Sequence, residues 1–439
     1  MISHHRHLEV FVAGKHAGEL RMSPQGALSF IYDSSYDGPD LSVALPFSSV
    51  PHSGKTVYAW FDNLLPDDPQ VRLGMAAEAK SSTGLFPLLQ HFGLDLPGAV
   101  QAVAPDNLAS LYQREEGYVQ LTRSQVAERL ARIAAAEDEH RARAWAQSDE
   151  HWSLGGMQTK LALREWDGRW HECLGASASN VIVKPGAWEL HQQALVECVT
   201  MDLARRCGLP SASVKIESFD GMPALVAQRY DRFTSPDTGA ITRIHQEDFC
   251  QATGTVSTCK YAADGGPSAL DLMEILNAAE GNSRGRFVDA LLFNYLTAST
   301  DAHAKNYSIL HPEGRRFLLA PLYDLASAAP YLKKGKTYHL AMSVGGENRL
   351  GWLRKSTLSR FAQANDLELP ALTVRTDELA EAIKQNLEVS LNAYSQCEGI
   401  DELAETLIPR LTALCTATQR NISCESAHFK PVDITRFGR

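Results

Sequence analysis

Ser299-Thr-Asp-Ala-His-Ala-Lys-Asn306, followed eighteen residues later by Asp324 in Pro321-Leu-Tyr-Asp324, decides how the rest of the chain is read. It sets an acid, a histidine, a lysine, an amide and a second acid in one order. Asp324 closes an apolar run, Phe317 to Tyr323, which the pattern predicts as a strand holding a carboxylate at its end. Amide and carboxylate oxygens are hard donors that suit Mg²⁺ together with phosphate oxygens. A loop carboxylate can take the proton of an attacking hydroxyl. Asp301 and Asn306 are five apart, the spacing of the base and the metal-binding amide in the phosphoryl-transfer loop H-R-D-x-x-x-x-N. The stretch implies ATP-dependent phosphoryl transfer, with Asp301 as base and Asn306 and Asp324 as Mg²⁺ ligands. His303 reads either as an ATP contact or as a packed, hydrogen-bonded residue. Lys305 either touches the γ-phosphate or balances the acids around it.

Such chemistry needs a nucleotide-binding half upstream, and the chain offers one. Lys160 to Trp166 and Arg169 to Cys173 flank Asp167-Gly168, a strong hairpin signal. Asn180-Val-Ile-Val-Lys184 is a third strand, closed by Pro185. A helix is expected over about 189 to 207, stopped by Gly208. Val214 to Phe219 and Ala224 to Tyr230 flank Asp220-Gly221, a second hairpin. Lys184 ends its strand as the phosphate-binding Lys ends Val-Ala-Ile-Lys in protein kinases, and Glu197 on the next helix is its expected supporting acid. Ser153-Leu154-Gly155-Gly156-Met157-Gln158 precedes the first hairpin by the length of a loop. Its two glycines let backbone N–H groups turn toward a phosphate. The segment is neither G-x-G-x-x-G nor a Walker A sequence, and two glycines alone mark a turn. Gln228 and Tyr230 stand where an adenine hinge is expected, and Tyr230 also reads as a core residue.

Composition bounds the remaining options. The chain has 439 residues, 44% hydrophobic and 21% charged, ordinary for a globular protein of two or three domains. No apolar run is long enough for a membrane span, and the start lacks the apolar core of a signal peptide. Eight cysteines without a C-x-x-C pair read as free thiols of a cytoplasmic protein. A net charge of −10 argues against gripping DNA unaided and suits a basic partner. Residues 1–105 read as a β-rich subdomain, opened by a meander over Leu8–Val12, Gly18–Leu20 and Leu28–Tyr32 and followed by a helix over Tyr58–Leu65. Residues 106–149 read as a helical connector, with its helix over about 124 to 147. Residues 150–232 hold the glycine loop, Lys184 and the hinge. Residues 233–439 read as mostly helical, with the Asp301 loop entered from a buried helix at Phe287–Leu296 and amphipathic helices over 373–424. The expected fold is α+β, two-lobed and protein-kinase-like.

The residues also resemble a known family. Asn63-Leu-Leu-Pro-Asp67, Asp95-Leu-Pro-Gly-Ala-Val100, Ser153 to Lys160, Gln246-Glu-Asp-Phe-Cys-Gln251, Lys260-Tyr-Ala-Ala-Asp-Gly-Gly-Pro267, Thr300 to Asn306 and Pro321 to Asp324 are similar to the HipA family of bacterial serine/threonine kinases, the toxins of HipBA toxin–antitoxin pairs. The Asp-x-His-x-x-Asn order also resembles phosphoinositide kinases.

That resemblance implies an N-terminal subdomain fused to a two-lobed kinase that uses ATP and Mg²⁺. By position it matches Asp301 to the catalytic Asp, Asn306 and Asp324 to the metal ligands, and Lys184 to the ATP-binding Lys. Ser153 matches the serine that such kinases autophosphorylate to shut themselves down. Gln228 departs from the acid common at the hinge, and Thr159 from the usual Glu. The implied partner is a HipB-like helix-turn-helix antitoxin, with operator DNA bound mainly through it and this chain as corepressor. Implied acceptors include aminoacyl-tRNA synthetases, whose phosphorylation halts growth. Two other classes remain open on sequence alone: a catalytically silent corepressor, and a small-molecule or lipid kinase.

Overall fold

The computed structural model describes residues 6–112, 117–138, 160–185, 192–424 and 428–438. They form two compact units. The first comprises residues 1–188, 215–260 and 308–320, and the second residues 189–214, 261–307 and 321–439.

In the first unit, strict alternation of buried and half-buried residues makes His7–Val12 a strand (β1) with one face in the core. It pairs antiparallel with β2 (Lys15–Met22), which pairs with β3 (Leu28–Tyr32). The expected meander is therefore present. With β4 (His52–Ser53) and β5 (Val100–Val103) it forms a five-stranded sheet in the order β4-β3-β2-β1-β5. Helix α1 runs over Lys55–Asp62, earlier than the expected Tyr58–Leu65. It ends at Asn63, whose side chain donates to the Ala59 and Thr255 carbonyls. Helices α2 (Pro69–Glu78) and α3 (Leu85–Phe92) follow.

A six-stranded sheet in the order β10-β11-β9-β7-β8-β6 is built from β6 (Tyr118–Leu121), β7 (Leu161–Trp166), β8 (Arg169–Cys173), β9 (Val181–Pro185), β10 (Val214–Phe219) and β11 (Met222–Gln228). Both predicted hairpins are realised. Asp167 and Gly168, then Asp220 and Gly221, all take positive φ, the twist that two-residue hairpin turns require. Helix α4 spans Arg123–Asp138, and the expected continuation to residue 147 lies outside the described residues. Short strands complete the unit: β12 (Arg232–Thr234) with β13 (Ile241–Arg243), and β14 (His245–Asp248) with β15 (Ser308–His311) and β16 (Leu318–Leu319). Helix α6 (Phe249–Thr253) continues directly from β14.

The second unit is mostly helical: α5 (Gln193–Arg206), α7 (Ala269–Leu276), α8 (Ser283–Leu296), α9 (Lys355–Ala364), α10 (Leu369–Asn392) and α11 (Ile400–Ser423), with one small hairpin, β17 (His339–Val344) and β18 (Glu347–Arg349). Helices α10 and α11 pack on each other and on α8, whose Phe287, Leu291, Leu292, Phe293, Tyr295 and Leu296 are all buried. Gly208, at φ 82, ends α5 as expected. All eight cysteines are free thiols. Among the described residues no helix is long and apolar enough to cross a membrane.

Candidate active site

In the second unit the loop is delivered by α8. The chain leaves the helix through Ala298 in the left-handed region at φ 55, and the Ser299 N–H returns to the Asn294 carbonyl at 2.8 Å. Thr297 Oγ1 binds the Phe293 carbonyl at 2.8 Å and lies 2.9 Å from Ser299 Oγ. A strap crosses this turn. Ser327 Oγ donates to the Thr297 carbonyl at 2.6 Å, and the Ser327 N–H donates to Thr200 Oγ1 of α5 at 3.1 Å. The Ala341 N–H of β17 binds the Thr300 carbonyl at 2.9 Å.

Past this fixed base the Asp301 side chain is exposed, while His303, Lys305 and Asn306 are buried. The Asp301 carbonyl accepts from the His303 N–H at 2.7 Å and from Asn306 Nδ2 at 3.4 Å. That contact engages the nitrogen end of the amide and leaves its oxygen out of this bond. The Lys305 carbonyl accepts from Tyr323 Oη at 2.7 Å, which ties the loop to the residue before Asp324. Asn294 Nδ2 donates to Tyr307 Oη at 2.7 Å beneath it.

Asp324 does not end a strand as expected. β16 stops at Leu319, because Pro321 has no N–H to continue a ladder. Leu322 makes one isolated parallel bridge to Ser211. Asp324 follows as an exposed residue at φ 59, a backbone state that costs a non-glycine residue about 1 kcal/mol or more and that clusters at functional sites. Among the described residues no three His, Cys, Asp or Glu side chains gather as a metal site. Mg²⁺ needs only one or two protein oxygens when phosphates supply others, so Asn306 and Asp324 fit it by donor type.

The first unit carries the other predicted residues. Lys184 is buried near the end of β9, opposite Leu225 of β11, and three steps along the same ladder Gln228 faces Val181. Gln228 is exposed at the end of β11. Tyr230 Oη donates to Gln246 Oε1. Glu197 is buried on α5, in the second unit. Ser153, Leu154, Gly155, Gly156, Met157 and Gln158 lie outside the described residues.

Two features were given no role by the sequence. Around the expected hinge, Arg229, Asp231 and Arg232 are buried in an ion cluster with Asp95 and Arg243. Asp231 accepts from Arg229 Nη2 at 2.8 Å, Arg232 Nη1 at 2.7 Å and the Gly98 N–H at 2.9 Å; Asp95 accepts from Arg243 Nη2 at 2.8 Å. Burial works against the Asp95 charge, yet Arg243, Arg232 and Arg229 hold it below the usual carboxylate range. Burial, together with the Arg229 charge, pushes Arg232 down to about 10. The second feature is Tyr261, whose hydroxyl donates to Asp301 Oδ1 at 2.6 Å. The sequence placed Tyr261 in a family-like segment but gave it no role.

Residues 152–391 match the model of the HipA-like C-terminal domain, and residues 8–103 that of the HipA N-terminal domain. A Sinorhizobium fredii protein, Y4mE, provisionally named a kinase, is 30% identical over 92% of this chain and 97% of its own length. The serine/threonine-protein kinase toxin HipA of Shewanella oneidensis is 28% identical over 86% of this chain and 88% of its own. A solved complex of Shewanella oneidensis HipA with HipB and operator DNA matches with a TM-score of 0.79 at 23% identity, over 94% of this chain and 97% of that one.

Proposed function

The chain belongs to the HipA family, and from that premise we propose that it is an ATP-dependent serine/threonine protein kinase acting as the toxin of a toxin–antitoxin pair. The observation that carries this reading is the Asp301 loop: an exposed carboxylate on a loop strapped at three points, with the Asn306 amide oriented by the Asp301 carbonyl. In this reading Asp301 accepts the proton of the acceptor hydroxyl as phosphate is transferred. Lys184 pairs with the nucleotide phosphates. Asn306 and Asp324 hold Mg²⁺, which neutralises phosphate charge when bound. His303, with 5% of its surface exposed, serves as a packed support of the loop. Glu197 supports Lys184, and Gln228 and Tyr230 belong to the nucleotide hinge.

Ser153, in the glycine loop, is the proposed site of self-inactivation. A phosphate there adds about −1.5 to −2 charge beside the nucleotide's own and would drive the loop out of the site. The partner in this reading is a HipB-like helix-turn-helix antitoxin. With a net charge of −10, operator DNA is left mainly to that basic partner. The acceptor is a cellular protein, with aminoacyl-tRNA synthetases the first class to try.

Incubating wild-type and Asp301→Ala protein with γ-labelled Mg·ATP, then mapping phosphosites by mass spectrometry, tests the reading. Phosphate on Ser153 in wild type and none in the variant is the expected result. Equal labelling of both removes Asp301 from the mechanism. Label that appears only in small molecules of an added lysate removes the protein-kinase reading.

A further inference from the structure

Lys260-Tyr-Ala-Ala-Asp-Gly-Gly266 folds as a closed turn that aims one side chain. Tyr261 begins it in an extended conformation, and residues Ala262–Asp264 form one 3₁₀ turn. The Tyr261 carbonyl accepts from the Asp264 and Gly266 N–H groups, both at 3.0 Å. Gly265 takes φ 80, which a residue with a Cβ adopts only at a cost. Pro267 follows, and Ser268 then caps α7 through a reciprocal capping box with Asp271. The Tyr261 carbonyl and the chain that follows it are therefore held by the turn, independently of what the Tyr261 side chain touches.

That side chain makes two separate contacts with the Asp301 loop. Its hydroxyl donates to Asp301 Oδ1 at 2.6 Å. Its ring meets the His303 ring edge-on, with centroids 4.9 Å apart and planes at 84°. Both contacts lie within the second unit. Asp301 is exposed, so its carboxylate would otherwise sample several rotamers. A hydrogen bond to a charged acceptor is among the stronger kinds. It occupies one carboxylate oxygen and leaves Oδ2 as the atom that meets an acceptor hydroxyl.

We infer that Tyr261 is a positioning residue for Asp301: its hydroxyl holds Oδ1, and its ring on His303 fixes where that hydroxyl sits, so that Oδ2 faces the acceptor. The inference rests on the proposed role of Asp301 as base. Effective proximity depends on small displacements of the reacting group, so loss of this bond falls on the transfer step rather than on nucleotide binding. Tyr261→Phe removes the hydroxyl and keeps the ring against His303.

The test is steady-state Mg·ATP turnover, read as ADP release with dephosphorylated casein as acceptor, for wild type, Tyr261→Phe, Asp301→Asn and the double variant. The expected result is a kcat lower by about tenfold in Tyr261→Phe, with KM for ATP within about twofold and an unchanged melting temperature. With Asp301→Asn already in place, Tyr261→Phe should lower the residual rate no further, an outcome that a purely structural tyrosine would not give. A Tyr261→Phe protein with full kcat overturns the inference while Asp301→Asn is inactive. A raised kcat also overturns it, because the hydroxyl would then be blocking the base. An additive loss in the double variant assigns the tyrosine to structure alone. If Asp301→Asn turns over ATP as fast as wild type, or wild type does not turn it over at all, it is the underlying kinase reading that fails.

Discussion

His245 lies wholly inside the first unit, its ring 5.1 Å from that of His311, with Nε2 donating to the Leu41 carbonyl at 2.9 Å. Beside it Glu247 is buried and fully engaged. It accepts from Ser42 Oγ at 2.5 Å, the Val43 N–H at 2.9 Å, Trp60 Nε1 at 3.0 Å and His311 Nε2 at 3.1 Å. Burial, then the neighbouring His311, push His245 down to about 4 from an ordinary 6.5. The sign follows from proton uptake. Below pH 6.5 the unfolded chain protonates this histidine, and the folded one does not until about pH 4. The contribution of neutral His245 is therefore complete above pH 6.5 and is lost as pH falls from 6.5 to 4, at most about 3 kcal/mol. Glu247 is held below its usual range, against its burial, by the His311 hydrogen bond first. It adds a loss of the same sign at lower pH, below the carboxylate's ordinary value. Urea unfolding at steps between pH 7 and pH 4 should show stability falling across that window, and His245→Asn should flatten the slope. An equal slope in the variant would place the titration elsewhere.

The elements that could be read from sequence are those whose signals are local. Asp167-Gly168 and Asp220-Gly221 set their hairpins because two consecutive positive φ values favour such residues. The buried α8 was evident from apolar residues on nearly every side. The strands β13 to β15 were hidden in a stretch read as mostly helical, because elements of three or four residues show no usable periodicity. At the candidate site, the order Asp301, Asn306 and Asp324 was legible, since spacing within a loop is a sequence property. Tyr261 on Asp301 was not, because its meaning lies in a contact across 40 residues. The same holds for Asp95, whose arginine partners stand 137 and 148 residues away. Gly98 shows how tightly such long-range elements meet. It sits at φ 69 before β5, donates to Asp231, and a Cβ there would stand 2.7 Å from the Gln246 N and 2.9 Å from its carbonyl oxygen in β14. The Gly98 backbone cannot yield without disturbing its bonds to Asp231 and Arg232, nor that of Gln246 without disturbing the ladder to β15. Gly98→Ala should therefore cost about 2–4 kcal/mol, by backbone strain and by clash. Equilibrium unfolding of the variant checks this, and a loss under 1 kcal/mol would mean that the turn can shift freely.

At the scale of the molecule, the chain passes between its two units five times, after residues 188, 214, 260, 307 and 320. No single cut separates them. The first unit closes only when β15 and β16, far along the chain, pair with β14 through His245↔His311, Gln246↔Leu310, Glu247↔Ile309 and Asp248↔Ser308. A fragment of residues 1–260 therefore lacks a strand of its own sheet and leaves Glu247 buried without His311. Extending the fragment to residue 320 restores both, but now carries α5 and α8 without α10 and α11. Helix α8 alone would expose Phe287, Leu291, Leu292, Phe293, Tyr295 and Leu296. Each large apolar side chain loses about 1.5–3 kcal/mol when left in water. Six of them lose on the order of 10 kcal/mol, as much as the whole net stability of an ordinary domain. Both fragments should accordingly be insoluble or bind a hydrophobic dye strongly, with no cooperative urea transition, whereas the intact chain unfolds cooperatively. A 1–260 fragment that gave a dispersed NMR spectrum and a sharp transition would show that the first unit closes without its distant strands.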